Sequence, residues 1–352
     1  MNKENFKFDV VIGNPPYQEE SVGDSTQAPP IYHKFMDSAY QVADKVELIT
    51  PARFLFNAGA TGKAWNEKML ADEHLKVVYF NQNANEVFNN TDIKGGIAVT
   101  YRDKDKKFGA INTFTSFEEL NTILHKVAPN IKNSFSEIIY GQNAYQYTFK
   151  LHEVYPKAVE LLSKGHEKDI TTNAFERLPF IYHDDKPNDE FDYIQIYGRF
   201  ENDRVYKYVR KDFISEHENL NKYKVFLPKA NGSGAIGEVL STPLIGTPLI
   251  GTPLIGATQT FISIGAFDTE FEAQATLKYI KSKFARTMLG ILKLTQDNPA
   301  PKWKFVPLQD FTANSDIDWS QSIPNIDKQL YKKYGLDDNE IEFIETKVKE
   351  MN

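Results

Sequence analysis

Four consecutive residues, Asn14-Pro15-Pro16-Tyr17, combine the groups needed to activate a poorly nucleophilic amine. An amino group conjugated to a ring has a delocalised lone pair and attacks weakly. Two acceptors aimed at its hydrogens draw the nitrogen towards a tetrahedral shape. The Asn14 side-chain oxygen offers one acceptor. The Pro15 carbonyl offers the other, held in place because Pro16 fixes the following φ. Tyr17 adds an aromatic face on which a planar substrate such as a flipped-out base can stack. This is preorganised electrostatic stabilisation without a general base. The plainer alternative is a Pro-rich turn; the order of strand, Asn, Pro-Pro and aromatic favours the chemical reading.

The elements around these residues must hold them at a crevice. Phe8 to Gly13 is apolar and β-branched and ends in Gly, which predicts a buried parallel strand. Two prolines cannot prolong that strand, so the chain breaks sharply at its carboxyl end, where open α/β sheets bind ligands. Gln18 to Pro30 is polar and reads as a loop beside the site. Ile31 to Ala43 has helical spacing with Ile31, Phe35, Ala39 and Val42 on one side. Further strands are expected at Val46–Thr50, Leu75–Phe80 and Ile97–Tyr101, with a helix over Gly62–Ala71 and a strand plus helix from Phe108 to Pro129.

The tetrapeptide resembles motif IV of N6-adenine DNA methyltransferases, most closely the Eco57I-like branch of restriction–modification enzymes with γ-class motif order. The likeness runs along nearly the whole chain and is strongest over 6–101 and 225–350. Asn-Pro-Pro-Tyr alone is also similar to protein-glutamine and some ribosomal-RNA methyltransferases; the later segments favour DNA. The resemblance implies methyl transfer from S-adenosylmethionine to adenine N6 in double-stranded DNA, in the cytoplasm. It makes Asn14, Pro15, Pro16 and Tyr17 the catalytic corner. The family's Tyr-x-x-Phe is matched by Tyr32 and Phe35, which makes Phe35 a cofactor contact; a core-facing aromatic is the alternative. Its Glu-Val-Phe is matched by Glu86-Val87-Phe88, which places Phe88 on the base face opposite Tyr17. A plain core Phe is the alternative there.

One departure is large. The family's Gly-rich cofactor loop and acidic ribose contact lie upstream of motif IV, and this sequence has neither. The expectation is therefore a partial Rossmann-like sheet whose first strand has an unpaired edge, completed by an upstream methyltransferase or nuclease subunit or fragment. Little methylation is expected from the chain alone. A non-catalytic DNA-specificity module is the rival reading, and an RNA or protein methyltransferase fragment a third.

The chain has 352 residues, enough for two or three domains. It has no cysteine, which excludes disulfides, thiolate metal sites and cysteine nucleophiles. Its histidines form no HxxxH or HExxH pair, so no metal site is visible. Nothing approaches a membrane span. The net charge of −7 opposes nucleic-acid binding on average, but the charge is segregated. Lys278 to Lys304 holds seven basic residues and only Asp297 against them, whereas the end of the chain from Asp337 is acidic. Lys281 and Arg286 then belong to a DNA-facing patch or to a solvated helix face.

The expected division is an α/β catalytic half over 1–130, an α+β target recognition domain over 131–320, and a C-terminal helical pair over 321–352. In the middle part, alternating runs at Tyr145–Leu151, Phe191–Phe200, Tyr206–Val209 and Tyr223–Leu227 predict strands. Arg199, Arg204, Lys207 and Arg210 are interleaved there with Tyr197, Tyr206 and Tyr208, a pattern suited to a DNA groove or to a salt-bridged surface. Thr-Pro-Leu-Ile-Gly occurs three times over 242–256, which reads as turns or irregular extended chain, or as a spacer of variable length. Thr269-x-x-Glu272 opens a helix running to Ile291, and Trp303 reads as a packing residue. Ser322-Ile323-Pro324 and Asp337-x-x-Glu340 open the last two helices.

Overall fold

Alternation of apolar residues with a crossover helix builds the first sheet. The computed structural model describes residues 8–19, 28–57, 60–88, 93, 95–230, 249–293 and 297–351. They form two compact units, 1–121 and 122–352. In the first unit β1 (Phe8–Gly13) leads through α1 (Tyr32–Val42) to β2 (Ala43–Pro51), which lies parallel to it with Val11 opposite Val46 and Gly13 opposite Leu48. Then come α2 (Lys63–Leu70), β3 (Leu75–Asn81) and β4 (Ile97–Asp103). β4 lies antiparallel between β2 and β3, so the sheet order is β1-β2-β4-β3. Ile97 at the start of β4 faces both Pro51 and Asn81. The carboxyl ends of β1, β2 and β3 therefore share one end of the sheet. The sharp turn into β4 needs glycine: Gly96 has φ +80°, and a Cβ there would lie 2.4 Å from the Asn81 carbonyl oxygen.

Helix α1 is where expected but is rotated. Tyr32, Met36 and Ala39, at i, i+4 and i+7, are its buried residues and join Val46, Leu48, Phe54 and Leu75 in one cluster. Phe35 and Val42, expected on one side with Ala39, are exposed. Strand β1 is parallel but not buried: Val10 is 48% and Ile12 76% exposed. It is an edge strand, and among the described residues no strand pairs its outer side. Only Val11 of its apolar residues packs against the cluster. No strand forms between Phe108 and Phe117; the chain there is irregular and leads into α3 (Glu118–Val127).

The second unit contains β5 (Ile139–Tyr140), α4 (Phe149–Val154), α5 (Lys157–Leu161), α6 (Ala174–Arg177), β6 (Tyr193–Phe200), β7 (Asp203–Arg210), β8 (Tyr223–Pro228), β9 (Leu249–Gly251), β10 (Ile255–Ala257) and β11 (Phe261–Phe267). One sheet has the order β10-β6-β7 and another β5-β11-β8-β9. Tyr145–Leu151, expected as a strand, gives only isolated bridges before α4 begins. Tyr145 and Tyr147 do alternate inwards, but the next residue of that series, Phe149, points out of the core as the helix starts. The repeat also departs from an irregular loop, since its second and third copies supply β9 and β10.

The helix expected from Thr269 to Ile291 is two helices, α7 (Glu270–Lys281) and α8 (Lys283–Gly290). Ser282 turns extended between them, and its side chain accepts the Ala285 N–H to cap α8. Thr269 and Glu272 form the expected capping box. Trp303 is fully buried, tilted against Phe135 with ring centroids 5.3 Å apart. Finally α9 (Ile323–Tyr334) ends at Gly335, φ +64°, and α10 (Asp338–Lys347) begins with the Asp337–Glu340 capping box.

Candidate active site

The end of β1 turns directly into the tetrapeptide. Asn14 and Pro16 are exposed, and Pro15 and Tyr17 half-buried, with Tyr17 packed on the edge of the core cluster. The chain then closes on itself. Ile31 N–H donates to the Tyr17 carbonyl at 3.0 Å, and Glu19 N–H to the Pro29 carbonyl at 3.0 Å. Lys34 pairs with Glu19 at 2.8 Å across the same neck. Residues 20–27, the loop expected here with Gly23, lie outside the described residues. Because the neck is closed, α1 begins beside the corner. Phe35, 41% exposed, therefore presents an aromatic ring one turn into that helix. The core-facing alternative for Phe35 is excluded by that exposure.

Burial pushes the Tyr17 hydroxyl above its ordinary pKa, with the Asn14 side chain pulling the other way. Asn14 is thus a polar neighbour, yet no hydrogen bond of normal geometry reaches the hydroxyl. Two more buried atoms of the first unit lack partners among the described residues: Thr50 Oγ1, near the end of β2, and His33 Nδ1, at the start of α1. All three lie at the end of the sheet that carries the tetrapeptide. Buried polar atoms without partners mark places where water or a ligand completes the structure.

The neighbouring strand ends add two features. After β2, a short 3₁₀ turn over Ala52–Phe56 brings out Arg53, which is exposed and has no carboxylate paired with it among the described residues. Its stem rests on Gly95, where a Cβ would lie 2.5 Å from Arg53 Cγ. No motif in the sequence marks Arg53. After β3, Glu86 accepts from Asn81 Nδ2 at 2.9 Å and from Asn83 Nδ2 at 3.1 Å, which holds its carboxyl below the usual range. This staple fixes the turn carrying Phe88, whose N–H donates to the Ala84 carbonyl at 2.9 Å. Phe88 is half-buried. Three strand spacings, about 14 Å, separate the ends of β1 and β3.

The six candidate DNA contacts divide. Arg199 and Arg204 are exposed and directly opposite each other near the tip of the β6–β7 hairpin. Arg199 Nη2 donates to Asn202 Oδ1 at 3.0 Å, Arg204 lies over the Phe261 ring, and Glu201 and Asp203 lie at the same tip. Lys207 is buried, pairs with Asp184 at 2.5 Å and lies over the Phe200 ring. Arg210 makes two bonds to Asp212, at 3.0 and 2.5 Å, and stacks over Phe191 and Phe213. Both are engaged inside their own unit. Lys281 is half-buried. Arg286 is a correction: it is 1% exposed, not on a polar face. The break at Ser282 changes the helical phase and turns Arg286 inwards. Its Nε donates to the Lys281 carbonyl at 3.0 Å and its Nη2 to the Lys349 carbonyl at 2.6 Å. Burial lowers its pKa to about 10. It secures the C-terminal segment and cannot reach a phosphate.

Among the described residues no group of three or more His, Asp or Glu could hold a metal ion, and no helix is long and apolar enough to cross a membrane.

The segment that carries the corner also matches a known family. The family described as Eco57I restriction-modification methylase matches residues 1–88. An "Uncharacterized adenine-specific methylase" of Mycoplasma pneumoniae is 26% identical over 174 residues, 47% of this chain and 40% of that protein. The chain thus spans well under half the length of this curated relative. Among solved structures, the type IIG restriction endonuclease BpuSI is similar with TM-score 0.33 at 11% identity, covering 98% of this chain and 54% of that one. The type IIL restriction-modification enzyme MmeI in complex with DNA has TM-score 0.32 at 8% identity, covering 96% and 56%. The chain is similar to Eco57I-like adenine-specific methylases of restriction–modification systems.

Proposed function

We propose that this chain is the part of a site-specific N6-adenine DNA methyltransferase that receives the target base. The observation that carries the reading is an exposed Asn14 on a rigid Pro-Pro corner at the carboxyl end of β1. The Asn14 Oδ1 and the Pro15 carbonyl accept the two amino hydrogens and localise the nitrogen lone pair. Tyr17 and Phe88 flank the extruded ring. Stacking there offsets the loss of stacking in the duplex. The nitrogen gains a methyl group and then gives up one proton to solvent.

S-adenosylmethionine would supply that methyl group when bound, its S–CH3 bond breaking as the N–CH3 bond forms and its sulfur leaving as a neutral thioether. The residues present fit one margin of it: Phe35, exposed beside the corner, offers a ring for its adenine. They do not fit the rest, because the sequence has no Gly-rich loop between a strand and a helix. The proposal therefore includes a partner polypeptide, an upstream methyltransferase or nuclease subunit or fragment. The open edge of β1 and its exposed Val10 and Ile12 support it, since parallel strands are ordinarily covered on both faces. The domain reading stays as proposed: a catalytic half over 1–130, a DNA recognition domain over 131–320 with Arg199 and Arg204 towards DNA, and a C-terminal helical pair over 321–352. The cytoplasm is the proposed location.

The test is transfer of labelled methyl groups to duplex DNA by the chain alone and with a polypeptide carrying the upstream half. Transfer is expected only in the mixture and is lost in Asn14→Ala. Unchanged transfer in Asn14→Ala removes the corner from the mechanism. The open β1 edge also favours a second reading, a DNA-specificity module without its own chemistry. Duplex binding without transfer in any mixture would select it.

A further inference from the structure

Thr-Pro-Leu-Ile-Gly stands at 242–246, 247–251 and 252–256. The last two copies do different work. Leu249–Gly251 of the second copy is β9, antiparallel to β8 with Leu249 opposite Phe226 and Gly251 opposite Lys224. Ile255 and Gly256 of the third copy open β10, parallel to β6 in the other sheet. Between the two strands, the buried Lys224 Nζ donates to the carbonyls of Leu220 (3.1 Å), Thr252 (3.1 Å) and Ile255 (3.0 Å). Leu254 takes a left-handed φ of 63° there, and its N–H donates to the Leu220 carbonyl at 2.8 Å.

The closing glycines of the second and third copies are required by their surroundings. A Cβ at Gly251 would lie 2.5 Å from the Phe226 ring, and one at Gly256 would lie 3.0 Å from Ile196 and 3.2 Å from Tyr145. Those neighbours are core residues that cannot swing away. The copies themselves are identical. Deleting any one of the three gives the same protein, with one Thr-Pro-Leu-Ile-Gly in each of the two framework positions. The difference of five residues then falls on the stretch between Ala230 and Leu249. The first copy and most of that stretch lie outside the described residues.

We infer that the fold uses two copies and that the third is a length adjuster. Copies can be gained or lost in steps of five residues in the β8–β9 connection while every framework side chain stays the same. The unit that carries the Arg199–Arg204 hairpin can thus vary one connection without repacking. Two copies are the floor. Removing two brings Val239-Leu240-Ser241 to the places of Leu249-Ile250-Gly251. The Ser241 Cβ would then stand at the position 2.5 Å from Phe226. This inference does not depend on the methyltransferase reading.

The test uses the full chain with one copy fewer, one copy more and two copies fewer. Two glycine variants are added: Gly246→Ala in the three-copy protein, and Ala in place of the Gly251 position in the two-copy protein. Thermal unfolding is the readout. The one-fewer, one-more and Gly246→Ala proteins are expected within about 2 °C of the parent. The two-fewer protein and the two-copy glycine variant are expected to melt lower by more than that, or to be insoluble. The inference is overturned if losing one copy lowers the melting temperature as much as losing two, or if Gly246→Ala is as damaging as the two-copy glycine variant.

Discussion

Asp327 offers a test of how the C-terminal helices are held and of why Arg286 is unavailable to DNA. Its side chain is 2% exposed and accepts the N–H groups of Lys283 at 3.0 Å and Phe284 at 2.9 Å, at the start of α8. Burial raises its pKa from 3.8 to about 6, against the pull of those two amides and of Arg286. A carboxyl with a raised folded pKa binds its proton more tightly folded than unfolded. Its contribution to stability is therefore full below the unfolded value of 3.8 and is lost as the pH rises through about 6. A difference of about two units corresponds to about 3 kcal/mol. Asp327→Asn cannot ionise and keeps one acceptor. It loses the second amide bond, worth about 1 kcal/mol at every pH. Wild type should then be the more stable protein near pH 4, and the gap should shrink or reverse by pH 7 by about 3 kcal/mol. The comparison with the variant is needed because Asp103, Asp189, Asp318 and Asp337, all held low, lower wild-type stability in acid. Urea unfolding of both proteins at pH 4, 5, 6 and 7 measures it. Parallel curves, or a gap that widens with pH, would refute the placement of a buried carboxyl at the α8 terminus.

Three further outcomes follow from the site. Asn14→Ala, assayed with the upstream half present, should lower methyl transfer at least about 10²-fold while duplex binding is kept. Tyr17→Ala and Phe88→Ala should each weaken binding of a duplex with an extruded base by about 1–3 kcal/mol, read by the fluorescence of a 2-aminopurine target. An effect from only one of them means that the ring is not held between the two. Arg199→Ala with Arg204→Ala should reduce the slope of log affinity against log salt by about 2, whereas Lys207→Ala and Arg210→Ala should lower stability and leave the slope alone.

The order of elements was legible because local chemistry punctuates it. Pro15 and Pro16 stop β1, Pro51 stops β2, Thr269–Glu272 and Asp337–Glu340 open helices, and Gly335 closes one; each acts within a few residues of itself. The rotation of an element was not legible. Ile31, Phe35, Ala39 and Val42 have the spacing of a buried face, and so do Tyr32, Met36 and Ala39. The sheet under α1 chooses between them, and it chose the second set. Arg286 was misplaced for the same reason: one extended residue, Ser282, resets the phase, and its capping role depends on the backbone it creates. Arg53 was passed over because an isolated arginine has no pattern. Its place is set by Gly95, on a turn more than forty residues later.

Strand β1 shows what the same composition means in two settings. Phe8-Asp9-Val10-Val11-Ile12 has the apolar content of a strand covered on both faces, yet only Val11 packs in the cluster while Ile12 is 76% exposed. Burying a side chain such as Ile12 stabilises by roughly 1.5–3 kcal/mol, and Val10 adds to this. An edge left bare also invites pairing with any extended chain, which soluble proteins usually oppose with charge or proline. Within β1 only the single charge of Asp9 serves that purpose. A second device stands at its end: Pro15 and Pro16 terminate the edge where the Asn14 corner begins. A strand added alongside β1 would therefore run beside it only as far as Gly13, and would leave Asn14 exposed. On the proposed reading, the two prolines that would fix the acceptor geometry would also limit how far a partner strand could zip along the edge.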